Sequence, residues 1–120
     1  MKEQILNKFH GCFIQFLDEL IEQFPTEGKL HIVRILVKDT TPPWKLMDKY
    51  VTFVLPNKDM VDNKDDAFFL NDNAGFQQLA DKNLISLQGL WLNMDNENKD
   101  VIWQWFTVFN KLADKFTTLD

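Results

Sequence analysis

The first 24 residues place apolar side chains at the three- and four-residue spacing of an α-helix. The apolar positions are Ile5, Leu6, Phe9, Phe13, Phe16, Leu17, Leu20, Ile21 and Phe24. This pattern predicts a helix with one buried face. Pro25 ends it, because a residue that precedes proline is pushed out of the α region. Gly11 lies inside this helix, where glycine costs about 1 kcal/mol relative to alanine, and a close helix crossing would explain its presence.

A second helix is predicted around residues 30–37. Its apolar positions are Leu30, Val33, Leu36 and Val37. The β-branched content of this stretch leaves a strand open. We favour a helix, because no other segment offers a partner strand with matching alternation.

Thr41-Pro42-Pro43 predicts the start of a third helix. Threonine can cap the free N–H groups of a helix, and proline at the first helical position loses no hydrogen bond. Pro56 ends the predicted helix. The buried stripe predicted for it consists of Trp44, Met47, Tyr50, Val51, Val54 and Leu55.

The second half of the chain is irregular until its last helix. We expect residues 62–73 to form an extended loop whose rings, Phe68 and Phe69, insert into the core, and residues 75–81 and 84–92 to form short helices at most. Asp95 or Asn96 is expected to cap the last helix. One continuous apolar face is predicted for it, formed by Val101, Ile102, Trp105, Phe106, Phe109, Leu112, Ala113 and Phe116.

These patterns predict an all-α, compact single-domain bundle of about five helices over residues 1–120, with the first, third and last helices carrying the core. The composition fits a globular core of this kind. Apolar residues make up 45% of the chain, and its aromatic residues include 11 Phe and 4 Trp but a single Tyr.

Charge and cysteine content exclude several classes of function. The net charge is −5 and the lysines are scattered, so nucleic-acid binding is not expected. No apolar run approaches the length of a membrane span, so no membrane association is expected. Cys12 is the single cysteine, which rules out an internal disulfide and favours an intracellular setting.

No motif for catalysis, a metal or a cofactor is apparent. His10 and Cys12 are two residues apart on a helix, so their side chains diverge and make a poor zinc pair with His31. We therefore expect surface histidines and a buried thiol. The acidic stretches at 62–66 and 93–97 both fail the calcium-loop pattern, because Lys64 and Asn98 occupy positions that need other residues. We expect no cofactor, no metal and no enzymatic activity.

Trp103 is the most unusual aromatic residue. It falls off the predicted buried face of the last helix, in line with Thr107 and Asn110. Tryptophan is enriched among binding hot spots, so Trp103, Thr107 and Asn110, together with Phe68 and Phe69, form our candidate protein-binding set. In the alternative, Phe68-Phe69 or residues 84–92 fold over Trp103 and make it part of the core.

Three segments carry a resemblance that covers most of the chain in order. They are Glu22-Gln23-Phe24-Pro25, Asn63-Lys64-Asp65-Asp66-Ala67-Phe68-Phe69-Leu70, and Leu90-Trp91 followed by Asn98-Lys99-Asp100-Val101-Ile102-Trp103-Gln104-Trp105-Phe106. With these segments the chain resembles small helical proteins encoded by large DNA viruses of algae and amoebae. The resemblance implies a viral context, in the host cytoplasm or the virion, and implies no mechanism.

The sequence thus leads us to expect a non-enzymatic interaction protein of a large DNA virus, which binds a viral or host protein through a helical face. A minor structural component of the capsid or virion is the first alternative. A small hydrolytic enzyme with no recognisable motif is the second.

Overall fold

A computed structural model of the chain describes residues 2–70 and 87–119, and these residues form helices and short connections. No strand occurs in these two ranges. The α-helices are α1 (Lys2–Gln23), α2 (Gly28–Ile35), α3 (Pro43–Phe53), α4 (Lys58–Asp62), α5 (Ala67–Leu70), α6 (Leu87–Leu92) and α7 (Asn96–Thr118). One π-helical turn, Leu36–Thr40, continues α2, and one turn of 3-10 helix, Leu55–Asn57, precedes α4. The all-α prediction is confirmed.

The core lies where α1, α3 and α7 meet, as the sequence predicts. The Phe9 ring of α1 packs edge-on against Tyr50 of α3, with centroids 5.1 Å apart, and lies 5.5 Å from Phe109 of α7. Helices α1 and α7 run antiparallel, since the start of α1 meets the end of α7, where the Lys2 ammonium lies 5.0 Å from the Phe116 ring. Large rings therefore fill the space between the three helices, and each of these rings gains substantial burial.

The stretch after Gly28 is a helix and not a strand. Leu30 and Val37 are its buried residues, and they face α1. His10 of α1 binds the end of this stretch. Its Nε2 lies 2.7 Å from the Val37 carbonyl oxygen and 3.1 Å from the Thr41 carbonyl oxygen. Carbonyl oxygens only accept hydrogen bonds, so Nε2 must carry the proton. The expectation of a surface histidine is thus wrong for His10, which is half-buried, whereas His31 is exposed.

The start of α3 differs from its prediction in two respects. Pro43 is the first helical residue, as predicted for a proline, but the residue before the helix is Pro42 and no side chain caps it. Thr41 is therefore not the cap. Trp44 is 61% exposed, whereas Leu46 is buried. The buried face follows the spacing of Leu46 and Tyr50, and this leaves Trp44 on the flank of the helix.

Residues 62–70 contain more helix than predicted. A short helix, α5, replaces part of the expected loop, and Phe68 is fully buried, as expected for a ring inserted into the core. The side chain of Phe69 lies outside the described residues, as does the predicted helix at 75–81. Of the predicted helix at 84–92, the structure describes Leu87–Leu92 and finds it helical.

Two local predictions for the long helices have opposite outcomes. The Asp95 side chain caps α7 by accepting a hydrogen bond of 2.8 Å from the backbone N–H of Asn98, so the cap is the first of the two predicted candidates. The predicted close crossing at Gly11 is wrong. Gly11 is exposed, and a Cβ added there would meet no heavy atom within 4 Å.

Candidate functional site

Trp103 is buried, so it does not present an open contact surface. Only 4% of it is exposed. The Phe68 ring covers it from α5 with a centroid distance of 6.2 Å, and Trp91 of α6 packs edge-on at 5.2 Å. The structure therefore shows the alternative stated above, in which both neighbouring segments fold over the indole. Phe68 and Trp91, which cover the indole, precede Trp103 by 35 and 12 positions in the sequence. The helical periodicity of α7 carries no information on contacts with such distant residues.

Thr107 and Trp103 line a cleft of about 370 Å³ between α4 and α7. The remaining lining residues are Val61, Asp62, Lys64 and Gln104. The Thr107 hydroxyl donates to the Trp103 carbonyl oxygen at 2.9 Å, a bond within the helix. At the rim, the Lys64 ammonium lies 3.5 Å from Asp100, and both side chains are largely exposed. Such a pair contributes little to stability.

Asn110 belongs to the core and not to a surface. It is 8% exposed, and its Oδ1 accepts a hydrogen bond of 2.7 Å from the Tyr50 hydroxyl. Burial raises the pKa of Tyr50 well above its usual value, because the charged phenolate would lose its hydration. The Asn110 Nδ2 group is buried and has no hydrogen-bond partner among the described residues. The predicted protein-binding set is thus divided between the core and one cleft.

An exposed apolar surface lies instead on α2 and its π-helical continuation. The exposed fractions are 46% for Ile32, 54% for Ile35 and 37% for Leu36. These three residues, which we call the α2 stripe, occupy the side of the helix opposite Leu30. The sequence analysis named Leu36 among the apolar positions of this helix without assigning it a side, and the structure places it outside because Leu30 and Val37 form the inward face.

A second cleft, of about 280 Å³, lies between α1 and α7. Glu19 lines it from α1, and Val101, Gln104, Trp105 and Val108 line it from α7. The Trp105 Nε1–H donates to Glu19 Oε2 at 2.5 Å and links the two helices. Sequence analysis placed Trp105 on the continuous buried face, but it is only partly buried at the edge of that face.

The remaining candidate groups are Cys12, the acidic side chains and Arg34. No cluster of three or more His, Cys, Asp or Glu side chains in the part of the chain that the structure describes could hold a metal ion. Cys12 is partly buried against the core. Asp18 and Arg34 form an ion pair that ties α1 to α2. Within residues 2–70 and 87–119, no helix has both the length and the hydropathy that a bilayer crossing requires.

Comparisons with protein-family models, with curated proteins and with solved structures return no match. The resemblance to proteins of large DNA viruses therefore stays a prediction from the sequence.

Sequence reasoning missed the α2 stripe, the exposed Trp44 and the Glu19–Trp105 pair. A signal for the stripe was present, because residues 30–37 are apolar on more than one side of a helix, which is unusual for a surface element. No local signal exists for the Glu19–Trp105 pair, since 86 positions separate the two residues.

Proposed function

We propose that the protein is a non-enzymatic interaction protein that binds a partner protein through the α2 stripe. The observation that supports this proposal is the exposure of Ile32, Ile35 and Leu36 on one helix face. A surface helix normally presents polar side chains on the face opposite the core. Here the inner face packs on α1 and the outer face is apolar as well, so a second apolar surface would complete its burial.

The charges around the stripe indicate the chemistry of the partner. Residues 28–40 carry three cations, Lys29, Arg34 and Lys38, and one carboxylate, Asp39, in a chain whose net charge is −5. Lys29 and Lys38 are exposed, whereas Arg34 is paired with Asp18. An apolar groove with carboxylates at its rim is complementary to this helix, in the way that grooves accept amphipathic helices. We therefore propose a partner with such a groove.

The resemblance noted in the sequence supports a viral setting, in which this partner is a viral or host protein. A minor structural component of a particle would use the same stripe in repeated contacts of fixed geometry. A soluble interaction protein in the host cell would use the stripe for a single contact with its partner in each complex.

The test is a variant with both isoleucines of the stripe replaced, Ile32→Gln with Ile35→Gln. These changes keep the net charge and the helix propensity, and both positions are about half exposed. We expect the melting temperature to hold within the range usual for surface substitutions. Each isoleucine that loses its burial in the complex weakens binding by about 1 kcal/mol, so the two together weaken it by about thirtyfold.

Leu92→Gln is the matched control, because Leu92 is 68% exposed on α6, outside the stripe. Tagged wild-type protein and both variants are purified from the native host cells under mild conditions, and co-purifying proteins are identified by mass spectrometry. A partner retained by the wild type and by the control but lost from the stripe variant supports the proposal. Retention by all three proteins, or no partner for the wild type, contradicts it.

The identity of the stripe-dependent partner then separates the alternatives. Particle proteins in fixed ratio indicate a virion component, and a regulatory host or viral protein indicates a soluble interaction protein. Turnover of a co-purified substrate, unaffected by the stripe variant, would favour the small hydrolytic enzyme instead.

A further inference from the structure

We propose that the cleft between α1 and α7 binds an organic cation, an alkyl ammonium or alkyl guanidinium group, whose charge pairs with the Glu19 carboxylate. This site is separate from the α2 stripe and does not rest on the function proposed for it. The stripe variant leaves every residue of the cleft unchanged, so each proposal can fail alone.

The carboxylate is held in place, and one of its oxygens has no hydrogen-bond partner among the described residues. Glu19 is half-buried, and the Trp105 Nε1–H fixes its Oε2 at 2.5 Å. Glu19 Oε1 accepts no hydrogen bond from any described residue. The carboxylate is therefore oriented before a ligand arrives, and its second oxygen can accept an N–H group from a cation.

The walls of the cleft suit the alkyl part of such a cation. Val101 and Val108 lie on the same side of α7 as Trp105, four positions before it and three positions after it. One face of the Trp105 ring stacks on Phe109 with a centroid distance of 5.9 Å, and the ring is only partly buried. An aromatic face attracts cations through its quadrupole, and tryptophan does so most strongly. The aliphatic walls, the indole and the carboxylate together distinguish an organic cation from a hydrated metal ion.

The volume of the cleft and the charge of its lining further restrict which ligands it can bind. The volume of about 280 Å³ is at the lower end for a ligand pocket, so it fits one alkyl amine or a single basic side chain and not a drug-sized molecule. The five described lining residues include no Lys or Arg, and the chain carries a net charge of −5. Gln23, one turn along α1 from Glu19, also holds a buried Oε1 with no partner among the described residues.

The test follows the indole N–H signal of Trp105 in isotope-labelled protein by NMR, with the signal assigned from a Trp105→Phe variant. The probe is n-butylammonium chloride, and n-butanol and sodium butyrate are the neutral and anionic probes of similar shape. We expect a saturable shift of the Trp105 signal with butylammonium and none with the other two. An equal shift with butanol, or no saturable shift with butylammonium, overturns the proposal.

Glu19→Gln removes the charge but keeps an oxygen that accepts from Trp105, and we expect it to weaken butylammonium binding roughly tenfold. Glu22→Gln is the matched control, since it removes the same charge from an exposed position of α1 and should change binding less than about twofold. Equal affinity of the two variants overturns the proposal.

Val108→Arg is an independent check if Glu19→Gln does not fold. Val108 is 40% exposed, and a guanidinium placed there should compete with the probe. Unchanged binding by this variant also counts against the site.

A capped pentapeptide with one central lysine distinguishes the source of the cation. Binding of the peptide more tightly than butylammonium supports a basic side chain of another protein as the occupant. Equal or weaker binding, with the Glu19 dependence kept, supports a free amine.

Discussion

The buried hydrogen bond between Tyr50 and Asn110 leads to a quantitative prediction about the core. The Tyr50 hydroxyl donates to Asn110 Oδ1 at 2.7 Å, and both side chains are at least nine-tenths buried. Tyr50→Phe keeps the ring and its contacts with Phe9 and Phe109. It leaves the Asn110 amide without any partner among the described residues, because Nδ2 already has none.

The expected costs follow from this arrangement. Removal of one partner leaves the other buried and unsatisfied, and this costs about 1–3 kcal/mol of the free energy of unfolding. We expect about 2 kcal/mol for Tyr50→Phe and a similar loss for Asn110→Leu, which strands the hydroxyl. The double variant contains neither the Tyr50 hydroxyl nor the Asn110 amide, so no polar group of this pair stays buried without a partner. The unpaired Nδ2 is removed together with the amide. The double variant should therefore equal or exceed the wild type in stability, and the coupling between the two sites should be about 4 kcal/mol.

Urea unfolding followed by circular dichroism measures this cycle, with the midpoint and slope compared for all four proteins. The slopes should agree, because all four proteins expose nearly the same surface on unfolding. Simple additivity, with the double variant losing about 4 kcal/mol, would refute the reasoning. That result would mean that the two side chains do not depend on each other in the native protein.

Three further predictions concern single positions. Gly11→Ala should stabilise the protein by about 1 kcal/mol in the same assay, because the position is exposed inside α1 and open to a Cβ; a loss of stability would indicate an unseen contact. Lys64 follows α4 with φ of 51°, so Lys64→Gly should raise the free energy of unfolding by about 0.5–1 kcal/mol, whereas Lys64→Ala should not. Burial raises the pKa of Tyr50, so unfolded chains lose the phenol proton first and stability should fall as pH rises above about 10. Tyrosinate absorbance of this single Tyr should then appear together with unfolding, and its appearance in the folded protein near pH 10 would contradict the assignment.

The two tryptophans of α7 show that the sequence of one helix does not determine which of its side chains are exposed. Trp103 and Trp105 are two positions apart, so they point to different sides of the same helix. The sequence analysis expected Trp105 inside and took Trp103 as a candidate contact residue. Phe68 and Trp91 cover Trp103, whereas Trp105 is flanked by Phe109 and Glu19 and is only partly buried. Distant segments therefore decided which indole is covered and which is partly exposed.

The α2 stripe shows a related limit. Its helical state was predicted because no other segment offered a partner strand. Its orientation was not predicted, because residues 30–37 have apolar side chains on several sides. The packing of Leu30 and Val37 on α1, the Asp18–Arg34 pair and the hydrogen bonds of His10 fix the rotation of the helix. Asp18 and Arg34 are 16 positions apart, and His10 lies 27 and 31 positions from the two residues whose carbonyl oxygens it binds.

The sequence by itself determined the all-α class, the capped start of the last helix at residues 95–96 and the core of the first, third and last helices. It could do so because amphipathic periodicity and capping act within one or two helical turns. The tertiary structure alone decided that Trp103 is covered, that Ile32 and Ile35 face outward, and that Glu19 meets Trp105. Each of these outcomes depends on which segments pack together, and residues far apart in the chain meet only when the core forms.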